Sequence, residues 1–191
     1  VVTGETFAAD GVEACIRLAE ILGAPVANSY LHNDSFPGHH DLACGPLGYH
    51  GSKAAMSLIS KADVILALGS RLGPFGTLPQ YGFDYWPAEA KLVQIDADSH
   101  VLGLVKRADV TVCADAREAA EALAKRLAEK TLKGERHRDR RLQTIQEERH
   151  TWHQELDQWN QENDDWSLEV AQDSSHMHPR PMLRELQKAL P

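Results

Sequence analysis

Arg71 is the side chain in this sequence best placed to hold an anion. It follows Val64 to Leu68, a short run of β-branched and aliphatic residues that a glycine ends at once. Such a run reads as a strand buried on both faces in the middle of a parallel sheet. A guanidinium just past that strand can grip a carboxylate, phosphate or sulfonate through two parallel hydrogen bonds. Its other use is an ion pair or carbonyl clamp that pins the loop it sits in. That loop, Gly69 to Tyr85, carries three more glycines, two prolines and several aromatics, too many special residues for a mere connection. In an open α/β sheet, ligands gather beyond the carboxyl ends of the strands, where this loop belongs.

Other residues offer weaker chemistry. Gly45, Gly48 and Gly51 form a G-x-x-G-x-x-G run ahead of a helix, a pattern that suits backbone approach to a phosphate at a helix N-terminus. Tight turning with no ligand explains the run equally well, and it lacks the G-x-G-x-x-G spacing of a dinucleotide site. Asp96 ends the strand-like KLVQID, the position of an acid that holds a ribose hydroxyl in nucleotide-binding sheets. It also competes with Asp98 to cap Ala97 to Leu104, which reads as a short helical turn. The ten histidines are poorly spaced for metal: His39, His40 and Asp41 are adjacent, His176 and His178 fall in a polar linker, and His150 with His153 lacks an H-E-x-x-H pattern. No G-x-S-x-G nucleophile motif is present.

The elements that must position these residues follow from pattern and composition. With 191 residues, 42% of them hydrophobic and 25% charged, the chain can bury a full core without disulfides. A net charge of -8 opposes binding to nucleic acid or an anionic membrane. No signal peptide or long apolar span appears. Cys15, Cys44 and Cys113 are isolated thiols, with Cys15 and Cys113 in settings where a thiol is core filler, and a reducing cytoplasm is the expected home. The chain opens on Val-Val, as expected of a piece or a processed chain.

Asp10-x-x-Glu13 predicts a capping box for a helix that Gly23 closes, followed by an extended Val26 to Asn28. A strand at or before Val1 must precede it, abbreviated or cut away. Ser29 to Gly51 reads as one long irregular loop. Ser52 then caps a helix with Ala55, Leu58, Ile59 and Ala62 on one face. KLVQID and Asp109 to Cys113 are further strands, and Asp115 caps a helix through about Lys130 with Ala116, Ala119, Ala120, Leu123 and Leu127 inward. This alternation predicts an α/β fold with a doubly wound Rossmann-like parallel sheet flanked by helices, over residues 1–132. Residues 133–191 read as a helical linker: Leu142, Ile145, Trp152, Leu156, Trp159 and Trp166 form a stripe broken by Arg149 and Asn163. The expected place of that amphipathic helix is against its own protein, with a coiled coil as the alternative. Asp173 to Pro181 is a polar linker, and a short helix restarts over Met182 to Leu190.

In order and spacing, GPLGYHGSKAAMSLISKADVILALGSRLG, the aromatic loop after it and AKLVQIDAD resemble the central domain of thiamine-diphosphate-dependent enzymes of the acetolactate synthase type, over about Gly11 to Leu127. The strings NSYLHNDSFPG, GPFGTLPQYGFDYWP and LGLVK resemble an acyltransferase branch of that family, whose reaction handles a sulfonate and a phosphate. The resemblance implies thiamine diphosphate and Mg2+ as cofactors of the full-length enzyme. It places the activating glutamate in a first domain and the Gly-Asp-Gly motif in a third, and this sequence contains neither. It also implies no flavin, because Leu72, Gly73 and Pro74 stand where flavin-binding relatives carry Phe and two acids. The flanking domains of the same chain, a homodimer or homotetramer and small-molecule substrates are the implied partners. Arg71, His50, Asn33 and Tyr81 are then the candidates lining the substrate channel, with Gly48, Gly51 and Asp96 as weaker nucleotide candidates and no catalytic residue in this chain. A dinucleotide-binding domain and a non-catalytic interaction module remain as rival classes.

Overall fold

The computed structural model describes residues 1–6, 10–130 and 138–171, the last with side chains through Trp159, together with Met182, Leu183, Glu185, Leu186 and Ala189. The elements run β1 (Val2–Thr3), α1 (Val12–Leu22), β2 (Val26–Asn28), β3 (Ala43–Pro46), α2 (Lys53–Ser60), β4 (Val64–Leu68), α3 (Pro74–Thr77), β5 (Lys91–Asp96), β6 (Val110–Cys113), α4 (Ala116–Ala128) and α5 (Arg138–Ala171). The described residues fall into two compact units divided between Arg149 and His150.

The six strands form one parallel sheet in the order β3-β2-β1-β4-β5-β6. The chain therefore winds outward in both directions from the β1/β4 pair, the doubly wound arrangement expected of alternating strands and helices. The strand required before α1 is present and abbreviated to two residues. Ser52 caps α2 as expected, its hydroxyl accepting from the Ala55 amide at 3.3 Å. Asp115 caps α4 by accepting from the Arg117 and Glu118 amides at 2.9 and 3.1 Å. Gly23 closes α1 in the left-handed region, at φ 55°.

Five expectations are corrected. The start of α1 has no capping box: Asp10 takes φ 53°, and Gly11 holds the N-cap position with no side-chain hydrogen bond. Ser29 to Gly51 is not wholly irregular, because Ala43–Pro46 pairs with β2 as an edge strand. Its glycine and proline hide it from a pattern search, and an edge is where a sheet tolerates proline. β4 is central but not buried throughout, since Val64 is 56% exposed at its amino end. Ala97 to Leu104 forms turns rather than a helix. Cys113 is exposed rather than core filler, because β6 is an edge strand whose every residue is open to solvent.

The first turns of α5 lie on their own domain, as the amphipathic reading predicts. Ile145 is fully buried there. Arg141 donates to the Leu22 and Gly23 carbonyls at 3.0 and 3.2 Å, capping the end of α1. Lys61 pairs with Glu148. Arg149, which interrupts the apolar stripe, donates to the His40 and Asp41 carbonyls at 3.1 and 3.0 Å. In the second unit, Trp152 and Trp159 meet edge to face at 5.5 Å. The linker expected at Asp173 to Pro181 and the side chains of Asn163 and Trp166 lie outside the described residues, while the described residues of Met182 to Leu190 are helical.

Candidate functional site at the carboxyl edge of the sheet

At the point where the strand order reverses, β1 and β4 stay joined beyond their ends. The Gly4 amide donates to the Leu68 carbonyl at 3.0 Å and the Glu5 amide to the Gly69 carbonyl at 2.7 Å. This close approach requires glycine, because a Cβ at Gly4 would sit 2.2 Å from the Gly69 carbonyl oxygen. Beside this seam lies a buried polar floor. The Ser35 hydroxyl donates to the His32 carbonyl at 2.7 Å, so its oxygen accepts from Thr3 Oγ1 at 2.7 Å and from Asn28 Nδ2 at 3.0 Å. The hydroxyls of Ser29 and Ser70 hydrogen-bond across β1 and tie the loops after β2 and β4 together. Gln94 in β5 donates to the Ser70 carbonyl at 3.1 Å and accepts from the Gly103 amide at 2.7 Å. Among the described residues no buried side-chain nitrogen or oxygen lacks a partner, so this floor is rigid and complete.

Arg71 rises from that floor. Its neighbours Ser70 and Leu72 are buried, yet Arg71 itself is exposed and makes no side-chain hydrogen bond or ion pair among the described residues. Among the described residues no side-chain clamp pins it to the loop. Leu72 takes φ 53° with its side chain 4% exposed, which is how the chain turns its neighbour outward. Tyr81 is placed across from α2: its hydroxyl donates to the Gly51 carbonyl at 2.8 Å, and the Lys53 ammonium lies 4.8 Å from its ring centre. His50 is exposed and meets Tyr49 edge to face with ring centres 4.1 Å apart. Asn33 is exposed on the β2 loop, its carbonyl accepting a long 3.5 Å contact from Asn28.

The weaker nucleotide candidates have other occupations. A Cβ at Gly48 would fall 1.8 Å from the Phe75 carbonyl oxygen, and Tyr49 donates its amide to that carbonyl at 2.8 Å. Gly51 is packed against the Pro46 carbonyl, 2.5 Å from where its Cβ would be. Gly48 thus serves the approach of two loops, and Gly51 the tight turn of its own loop. Asp96 accepts from the Asp98 amide at 3.0 Å, and Asp98 in turn from the His100 amide at 2.9 Å. The His100 amide first, and then the His100 ring nitrogen at 3.0 Å, hold the Asp98 carboxyl below its ordinary range.

Sequence reasoning missed the aromatic wall of this edge. Tyr30 stacks on Phe75 with ring centres 5.6 Å apart, and Tyr49 meets both edge-on at 6.4 Å. These rings come from the loops after β2, β3 and β4, so no periodicity links them; only their density in loop segments hinted at a site. Tyr85 lies beneath, donating to the Gly76 carbonyl at 3.1 Å, and burial foremost pushes its phenol up to about 12. All five non-glycine residues described with positive φ, Asp10, Leu31, His50, Leu72 and Tyr81, lie on loops that leave carboxyl strand ends. Backbone strain concentrated at one edge is a mark of a working surface. What the edge offers chemically is a guanidinium with no partner among the described residues and, on loops of the same edge, a cluster of aromatic rings. No group of three His, Cys, Asp or Glu able to hold a metal converges among the described residues, and no residue here fits a role in holding Mg2+ or the diphosphate of thiamine diphosphate.

The sheet order and the composition of this edge define a Rossmann-like central domain, and the comparisons place it. A family model described as the central domain of thiamine pyrophosphate enzymes matches residues 1–123, so the chain belongs to that family. It is similar to the sulfoacetaldehyde acetyltransferases of Castellaniella defragrans, 53% identical over 98% of this chain and 32% of the relative, and of Alcaligenes xylosoxydans xylosoxydans, 51% identical over 98% and 33%. The acetolactate synthase large subunit of Corynebacterium glutamicum is more distant, at 32% identity over 61% of this chain and 18% of its own length. A solved thiamin diphosphate-dependent enzyme structure from Mycobacterium smegmatis superposes with a TM-score of 0.51 and 31% identity, over 65% of this chain and 24% of that one. The chain spans about a third of the length of the curated acetyltransferases it matches. Among the described residues no helix is long and apolar enough to cross a membrane.

Proposed function

We propose that this chain is the central domain of a cytoplasmic sulfoacetaldehyde acetyltransferase, which converts sulfoacetaldehyde and phosphate to acetyl phosphate and sulfite. Identity above 50% along nearly the whole chain to two such acetyltransferases supports the reading. Thiamine diphosphate with Mg2+ supplies the carbon chemistry of this family, and the flanking domains of the enzyme hold it. The part played by this chain is to shape one wall of the substrate channel. Both substrates are anions, and the observation that carries the role is the exposed, unpaired Arg71 on a rigid floor. Its guanidinium receives a sulfonate or phosphate bidentately. The rings of Tyr30, Tyr49 and Phe75 give the same edge an apolar face, and Tyr81, His50 and Asn33 stand around the approach. The enzyme is a homodimer or homotetramer, and flavin is absent from it.

The test is product analysis of the enzyme that contains this chain. Sulfoacetaldehyde with phosphate is expected to yield acetyl phosphate and sulfite, and pyruvate alone no acetolactate. The reverse pattern contradicts the proposal. A second reading, a nucleotide-binding domain, is favoured by the strand order, which is that of dinucleotide-binding sheets. The pairing of Gly4 and Glu5 with Leu68 and Gly69 weighs against it by closing the crevice at the switch point. Stoichiometric flavin released on denaturation supports that second reading.

A further inference from the structure

At the amino ends of the strands, opposite the edge just described, lies a groove of about 730 Å³. That size is within the range of small-molecule sites. Its floor is apolar, with Leu22, Leu58, Val64, Leu66, Leu127 and Ile145 drawn from four helices and β4. Its rim has the opposite charge balance to the chain as a whole. Among the described residues Lys61, Lys130, Arg138, Arg140 and Arg141 line it against one acid, Asp63, whereas the full sequence has 28 acids and 20 bases. Lys61 is taken by Glu148 and Arg141 by the end of α1. The side chains of Lys130, Arg138 and Arg140 make no ion pair or hydrogen bond among the described residues.

We propose that this groove is a second binding site, for an anion with an unbranched apolar tail, of the class of medium-chain fatty carboxylates. Val64 leaves a β-branched apolar surface more than half exposed in the floor, and a hydrocarbon tail covers it at a gain of roughly 25 cal/mol per Å². An inorganic anion has no use for that floor. A neutral lipid leaves the cationic rim without a partner. The site is remote from the carboxyl edge and independent of the acetyltransferase reading.

Calorimetric titration of the full chain with decanoate, below the concentration at which it forms micelles, tests the proposal against decanol and acetate. Saturable one-to-one binding of decanoate is expected, with decanol about tenfold or more weaker and acetate silent. Arg140→Glu, at an exposed position, is expected to weaken decanoate by about tenfold or more. Val64→Trp fills the floor and is expected to abolish binding, with both variants keeping the wild-type circular dichroism spectrum. A flat decanoate titration, equal affinity for decanol, or decanoate binding untouched by either folded variant overturns the site.

Discussion

Arg71 shows how much a single residue's setting is decided by its neighbours. Ser70 is held by Gln94 and Ser29, and Leu72 is buried in a left-handed conformation, so the residue between them has nowhere to go but out. The same reasoning separates the three thiols. Burial pushes Cys15 and Cys44 up to about 11, while Cys113 is exposed on β6. Iodoacetamide at pH 8 is therefore expected to label Cys113 alone in the native chain and all three thiols in denaturant, as read by mass spectrometry; rapid native labelling of Cys15 or Cys44 would contradict the burial. Gly48 is the other decisive residue. At φ 81° and with the Phe75 carbonyl against it, Gly48→Ala should cost at least about 1 kcal/mol in denaturant unfolding. An unchanged midpoint would show that the two loops are not in contact.

Elements were legible in the sequence where a period or a cap announced them. α2, α4, β4 and β5 follow from apolar spacing, Ser52 and Asp115. β3 did not, because its glycine and proline carry no strand signal and its support is pairing with β2. The capping box at Asp10 failed because Asp10 takes positive φ and the cap position falls to Gly11. Nor does sequence reveal that Gln94, an amide in a buried strand, joins two loops. The start of α5 was legible as an amphipathic face, and its energetics can be measured. Ile145→Ala removes a fully buried side chain that docks the helix, with an expected loss of about 2 to 5 kcal/mol; a loss below about 1 kcal/mol would mean the helix adds nothing to the domain. At the sheet's open side, Asp109 accepts from the Leu92 amide and from Lys91, both at 2.9 Å, and those bonds lower its pKa, the backbone one most. A carboxyl depressed in the folded state adds stability above its unfolded pKa and loses it as pH falls through the folded value. Asp109→Asn is accordingly expected to lower the melting temperature at pH 7 and to match wild type once pH falls well below 3.8. A gap that persists in acid would assign the effect to packing.

For the whole molecule, fold and family converge on a central domain of a thiamine pyrophosphate enzyme, while the aromatic wall at its carboxyl edge came from loops no pattern could connect. Among the described residues no group of three His, Cys, Asp or Glu gathers to hold a metal, so the chain by itself is expected to give a flat calorimetric titration with thiamine diphosphate and Mg2+ together; a saturable Mg2+-dependent signal would overturn that expectation. The most direct test of the account is Arg71→Lys in the enzyme that contains this chain, with kcat/KM for sulfoacetaldehyde and the melting temperature measured on the same protein. Lysine keeps the charge and loses the bidentate fork. The account predicts an unchanged melting temperature and a loss on the order of 1 to 3 kcal/mol in transition-state binding, roughly 5- to 150-fold in kcat/KM. Unchanged kinetics with a lowered melting temperature would contradict it and make Arg71 a part of the fold alone.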